Sequence, residues 1–350
     1  MDFASYWVGV REMFYGIDPY SPEATLKIQQ VVYGGPALGE DPMLFSYPAW
    51  LFLPVAPFAL LPYKLATVIW VGILLWAILY LLYKIAVILG ANRFMAQSLW
   101  LMGLVVGSLP FLVISVIKGQ PGCLSLVALF AAYQMRKQKS YLAGIILAFA
   151  LIKPTVTVIP VIVFLGWALL QKNWRFLAGF ASCMTVLLIS SFLVIGNWIP
   201  SYFRMLEAKV ALPILWSMEI LSAPWNFLYA GLFIGILLLS FYLSLKRNRA
   251  HWFSAAILVG IAITPMRWIY DLFLSILILA DGKRFTPWRS LFAGIAVLSP
   301  WLLVLVPLPM RWNVAVLGLP LIWVTTVLSL ILCEEPKPNE SQLAVRNTGD

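Results

Sequence analysis

Apolar residues run through this chain in long blocks separated by short polar breaks, and the block lengths predict helices. Positions 65–83, between Lys64 and Lys84, carry no charge, enough helix to cross a hydrocarbon core about 30 Å thick. Further charge-free blocks cover 48–62, 94–117, 121–135, 140–152, 154–171, 176–203, 226–245, 252–266, 290–310 and 312–333. The stretch 268–280 joins them once Asp271 is accepted near its start. The block 48–62 is short and holds Pro48, Pro54, Pro57 and Pro62, so it is expected to stay at the surface. About 11 spans remain, some so short that they require a thinned bilayer or protein on all sides.

The predicted fold is all-α: a polytopic transmembrane helical bundle with a first extracytoplasmic loop containing an amphipathic helix. Residues 1–47 form that loop and 48–333 the bundle, and 334–350 form a cytoplasmic tail without fold. In the loop, Phe3, Tyr6, Trp7, Val10, Met13 and Phe14 recur at helical spacing, while Asp2, Ser5, Gly9 and Glu12 line the other face. Gly16 suits a helix stop, and Asp18-Pro19-Tyr20 a turn. The plain expectation is a helix lying in the membrane interface, polar side to water, with Asp2 as its cap.

Composition agrees with the pattern. Hydrophobic residues make up 62% of the 350 and charged residues 11%, well below the roughly 25% of a soluble domain. The net charge of +10 falls on scattered cations, which excludes a nucleic-acid partner. Loops carrying Lys84 and Arg93; Arg136, Lys137 and Lys139; Lys172 and Arg175; Lys246, Arg247 and Arg249; and Lys283, Arg284 and Arg289 hold thirteen cations. The intervening turns, with Lys118, Lys153, Arg204, Lys209, Arg267 and Arg311, hold six. Positive loops stay cytoplasmic, so the first set is expected inside and the second outside, in a multi-pass protein of the cell membrane. If 48–62 did cross, another block would have to split, for instance 94–117 at Pro110. The acidic, aromatic opening does not read as a cleavable signal peptide. Cys123, Cys183 and Cys333 lie in or beside apolar blocks and are expected to be buried thiols. The single histidine, His251, leaves no multi-histidine metal site, and no cofactor is called for.

Three polar breaks stand out. Lys153, between Ile152 and Pro154, would cost about 2.5–3.5 kcal/mol at a span centre; two short helices meeting at Lys153-Pro154 would bring it to a polar cavity instead. The alternative is that Lys153 snorkels to the interface or pairs with an acid for structural reasons. Lys118-Gly119-Gln120-Pro121-Gly122 has two glycines for a tight approach and an amide that both donates and accepts, or is a plain turn. The run from Thr264 to Asp271 includes Pro265, Arg267, Trp268 and Tyr270, and Arg267 can pair with Asp271 along a helix. All three breaks fall on the expected outer side, with the acidic first segment. Cations there suit a phosphorylated lipid head group, and a nearby carboxylate suits deprotonation of a hydroxyl.

The order of these motifs resembles glycosyltransferase family 87, in the C-type superfamily of polytopic membrane glycosyltransferases. The resemblance rests on Asp2-Phe3 with Tyr6-Trp7, Gly16-Ile17-Asp18-Pro19-Tyr20, Tyr47-Pro48, Gly119-Gln120, Lys153-Pro154, and Pro265 with Trp268, over roughly residues 2–271. It implies transfer of a hexose such as mannose from a polyprenyl-phosphate donor to an extracytoplasmic glycan or glycolipid acceptor, with membrane lipids as the other partners. Asp2 takes the place of the family's first-loop aspartate, the general base. Lys118, Gln120, Lys153, Arg267 and Tyr270 are the substrate-binding candidates, Lys153 and Arg267 as stabilisers of the leaving phosphate. This chain departs from the family pattern at two points. Members carry a further membrane helix before the aspartate, and some have a histidine where Tyr270 stands. Two other functions fit the same residues: a transporter or lipid flippase, since broken helices and intramembrane lysines also mark translocation paths, and a catalytically inactive member.

Overall fold

The computed structural model describes residues 2–37, 43–90, 93–207, 225–246, 252–263, 275–280, 287–307 and 318–332. Arg267, Tyr270, Asp271, His251, Cys333 and the tail from Glu334 lie outside these residues. Among the described residues the structure is helical throughout, as expected for an all-α membrane protein.

The chain opens with α1 (Phe3–Met13) and α2 (Pro22–Tyr33). A short turn, Ala49–Leu51, leads into α3 (Phe52–Ala59), followed by α4 (Tyr63–Leu89) and α5 (Phe94–Lys118). Next come α6 (Gly122–Met135), α7 (Ser140–Ala150), α8 (Pro154–Leu170), α9 (Trp174–Ile195) and α10 (Ile199–Glu207). Helices Trp225–Lys246, Trp252–Ile263, Pro287–Leu298 and Leu319–Leu332 follow. Among the described residues, α4, α5 and α9 are long and apolar enough to cross a membrane; α6, α7, α8 and Leu319–Leu332 are apolar but shorter. The segment Ala49–Ala59 reaches only about 16 Å at 1.5 Å per residue, too short to cross.

The two possible break points at prolines come out differently. Chain direction changes at Lys153-Pro154, where α7 ends and α8 begins with Pro154 in its first turn. Pro110, by contrast, sits inside an unbroken α5. A proline frees the carbonyl four residues earlier, here that of Val106, and the Trp301 indole N–H donates to it at 2.8 Å. With that carbonyl satisfied by a neighbouring segment, the helix continues.

α1 forms with the anticipated bounds, but the face expected toward water is covered. Ser5, Gly9 and Glu12 are buried together with Phe3, Tyr6, Trp7, Val10 and Met13, while Phe14 at the end of the apolar face stays exposed. α2 lies across the polar side, and its Lys27 meets Glu12 at 2.7 Å and Glu23 at 3.0 Å. The buried Phe45 ring packs on the bare backbone of Gly9, where a Cβ would collide with it. The hydrophobic pattern does not announce α2; its caps do. Ser21 Oγ accepts from Ala24 N at 3.1 Å, Pro22 and Glu23 occupy the first turn, and Gly34 closes the helix at φ +77°. Gly16 ends α1 at φ +71°, with Ile17 N bonded back to Glu12 O at 3.1 Å. Tyr20 N then donates to Asp18 Oδ1 at 2.9 Å, closing the expected turn.

Further along, α6 to α9 run up and down beside one another. α7 crosses both α6 and α9 at close range. Gly144 and Gly179 allow the approach of α7 to α9, since a Cβ on either would strike a backbone carbonyl across that contact, Phe176 O or Tyr141 O. Cys123 is buried as expected, whereas Cys183 is half-buried on α9.

Candidate active site

Four of the six candidate residues converge at one end of this bundle. They arrive on three elements: Asp2 just ahead of α1, Lys118 and Gln120 where α5 gives way to α6, and Lys153 at the start of α8.

The break at Lys118–Gly122 is built, not loose. Gly119 adopts φ +70°, the left-handed conformation that ends a helix most readily at glycine. Its carbonyl accepts from both the Tyr6 hydroxyl and the Trp70 indole, the latter at 2.9 Å. Phe3 lies within 3.0 Å of where a Gly119 Cβ would be, so α1 leans directly on this turn. Phe3 stacks on Trp70 at 5.2 Å and on Tyr63 at 6.1 Å, and Tyr6 meets Tyr47 edge-on at 4.9 Å. Aromatic packing of this kind adds about 0.5–1.5 kcal/mol per pair beyond burial. It fixes both the helix that carries Asp2 and the turn that carries Gln120.

Gln120, 2% exposed, is the hub. Its Nε2 donates to Asp2 Oδ2. Its Oε1 accepts from Lys153 Nζ at 2.9 Å and from the Tyr47 hydroxyl at 3.3 Å. An amide is directional, with donors on one side and an acceptor on the other. A carboxylate must lie on the nitrogen side and an ammonium on the oxygen side, and that is the order observed. Asp2 and Lys153 are therefore one side chain apart, on the same side of the bundle.

Asp2 does not act as the helix cap. Its carboxylate accepts no hydrogen bond from the first turn of α1; the backbone carbonyl of Asp2 accepts from Ser5 N at 3.0 Å and Ser5 Oγ at 2.7 Å instead. The carboxylate remains 19% exposed, open to an incoming molecule. Lys118 Nζ stands 3.9 Å from Asp2 Oδ1 with its side chain 52% exposed. At that distance and exposure the pair is worth between 0 and about 1 kcal/mol, so Gln120, not Lys118, orients the acid.

Lys153 is 5% exposed. Its backbone N–H donates to Ser125 Oγ at 3.3 Å, and its carbonyl accepts from Thr157 Oγ1 at 3.1 Å. Burying an ammonium costs several kcal/mol, which argues against simple snorkelling to the interface. Trp50 braces the same turn, its indole donating to Leu151 O at 2.9 Å.

Tyr47 was legible only as part of the Tyr47-Pro48 motif, without a role. Tyr20 is also drawn in: its hydroxyl donates to Tyr47 O at 2.6 Å. Tyr20 is surrounded by Phe45, Trp198 and Tyr202. Burial, the charges of Tyr202 and Asp18 adding to it, pushes the Tyr20 phenol far above its usual range, and burial pushes Tyr202 up to about 12. Arg267 and Tyr270 lie outside the described residues.

Apolar helices of spanning length, with a polar, charged centre gathered at one end of the bundle, define a helical membrane protein. The family model for glycosyltransferase family 87 matches residues 45–232, over half of the chain, and the chain belongs to that family. It is a membrane glycosyltransferase. No curated protein and no solved structure matches it. The matched residues include Lys118, Gln120 and Lys153; Asp2 lies before them and Arg267 and Tyr270 after them.

Proposed function

We propose that this enzyme moves a hexose, mannose being one candidate, from a polyprenyl-phosphate donor to a glycan or glycolipid acceptor. The reaction takes place at the extracytoplasmic face of the cell membrane, which the chain crosses several times. In this reading residues 1–47 are the extracytoplasmic loop, 48–333 the membrane bundle and 334–350 the cytoplasmic tail. The single supporting observation is the Asp2–Gln120–Lys153 chain, which holds a partly open carboxylate beside a buried ammonium.

In this reading Asp2 takes the proton of the acceptor hydroxyl as its oxygen attacks the anomeric carbon. The bond from that carbon to the donor's phosphate oxygen breaks, and the electron pair leaves on polyprenyl phosphate. Lys153 and Lys118, with Arg267 as the third candidate, stabilise the charge that builds on the departing phosphate. Gln120 keeps acid and amine in register, and Tyr270 is the further substrate contact.

The test supplies purified protein with one labelled sugar carried either on polyprenyl phosphate or on a nucleoside diphosphate. Product from the lipid donor alone supports the proposal. Product from the nucleotide donor alone, or movement of the lipid donor between leaflets with no product, overturns it.

A further inference from the structure

The end of the bundle opposite Gln120 carries a second polar cluster that the proposed reaction does not use. α6 leaves the site at Gly122 and ends at Met135, about 21 Å away along its axis. Here the α6–α7 turn presents Arg136, Lys137 and Lys139, and the α8–α9 junction presents Lys172 in the turn and Arg175 in the first turn of α9. The two turns are tied together. Ser140 Oγ donates to Arg136 O at 2.8 Å, and Asn173 Nδ2 donates to Ser140 Oγ at 3.2 Å.

Arg136 is held in place by aromatic faces, 3.7 Å from the Tyr133 ring and 5.9 Å from each of Trp167 and Trp252. Its Nη1 donates to Tyr133 O, while its Nε is buried without an acceptor among the described residues. The other four cations are exposed. From Pro42 to Leu206 the sequence holds no aspartate or glutamate at all, so nothing within this span neutralises them. Exposed apolar side chains stand directly beside them, Leu170 at 76% and Trp174 at 63%.

We infer that this cluster is a binding site for the head group of an anionic phospholipid. A phosphodiester fits a fixed guanidinium flanked by exposed cations. The adjoining Leu170 and Trp174 suit the acyl boundary, where tryptophan concentrates; a free anion or a nucleic acid has no use for them. The fixed Arg136 loses little freedom on binding, whereas the four exposed cations supply most of the attraction.

The experiment uses full-length protein stripped of native lipid and reconstituted with phosphatidylglycerol or phosphatidylcholine, reading retained lipid by native mass spectrometry. Each cation near an anionic head group is worth roughly fivefold in affinity. The combined variant Lys137→Gln, Lys139→Gln, Lys172→Gln, Arg175→Gln should then retain phosphatidylglycerol at least about tenfold more weakly at unchanged melting temperature. The control Lys64→Gln, Arg204→Gln alters exposed cations at the other end of the bundle and should bind as the unaltered protein does. Equal retention of both lipids, equal weakening in the control, or equal displacement by inorganic phosphate alone would each overturn the assignment. Arg136 is left intact in all variants, so a folding defect does not imitate the result.

Discussion

Replacing Lys153 by methionine separates a lysine that acts on the substrate from one that only holds the helices together. Methionine keeps the length and bulk of the stem, which matters at a site 5% exposed, and removes only the ammonium. The lost hydrogen bond to Gln120 Oε1, 2.9 Å long, has one charged partner and is worth about 1.5–3 kcal/mol. Two effects offset that loss. Gln120 Oε1 still accepts from the Tyr47 hydroxyl at 3.3 Å, so no buried carbonyl is orphaned. The burial cost of the ammonium, several kcal/mol, also disappears. The net change in folding stability should therefore stay within about 1–2 kcal/mol. Turnover should behave differently, because removing one donor to a developing negative charge typically costs about a hundred- to a thousandfold in kcat. The assay pairs thermal unfolding in detergent with steady-state transfer of labelled sugar. Turnover within about twofold of the unaltered enzyme, in protein that melts normally, would remove Lys153 from the chemistry. A drop in activity matched by an equally large drop in stability would make it a structural residue.

Other consequences are open to direct measurement. Gly144→Ala drives a methyl into Phe176 O, and because backbone cannot step aside this should cost about 1–3 kcal/mol or more, read as a lower melting temperature and faster proteolysis of the α7–α9 pair. Tyr20 and Tyr202 should stay protonated when the exposed tyrosines ionise, so an absorbance titration should fall short of full amplitude at pH 11, and Tyr20→Phe should leave that amplitude unchanged. Hydrogen bonds that Lys27 donates to Glu12 and then to Glu23 hold its ammonium above its ordinary range, so the folded chain binds this proton more tightly than the unfolded one does. The resulting anchoring of α2 on α1 is complete below the unfolded value of about 10.4 and fades as pH rises through the higher folded value. Proteolysis within α2 should hence be flat from about pH 7 to 9.5 and rise above about 10.5, and Lys27→Arg should delay that rise.

What the sequence made legible was local, or periodic in one helix. The apolar stripe of α1, its glycine stop, the Asp18 turn, and the helix break at Lys153-Pro154 each depend on neighbours within a few residues, and each formed. The convergence of Asp2, Gln120 and Lys153 was legible only as a shared side of the membrane, inferred from charge alternation. The hydrogen bonds that join them cross 118 and 33 positions of chain, and no local pattern carries such contacts. The cover over the polar face of α1 was hidden for the same reason: Lys27 and Phe45 reach it through tertiary packing. For α2 the local signal is the capping at Ser21-Pro22-Glu23 and Gly34, since its apolar pattern is weak. That α5 continues through Pro110 is not legible locally, because the group that satisfies Val106 O is Trp301, 195 residues away.

The role of the carboxylate beside Gln120 is tested most directly by Asp2→Asn. Asparagine keeps an oxygen for the Gln120 Nε2 donor, so the α1 anchor and the melting temperature should hold, and only the ability to take a proton is lost. With a polyprenyl-phosphate donor, kcat should fall by about 10²–10⁴, with little change in donor binding. Turnover equal to that of the unaltered enzyme would contradict the assignment of Asp2 as the base, and with it the proposed reaction centre.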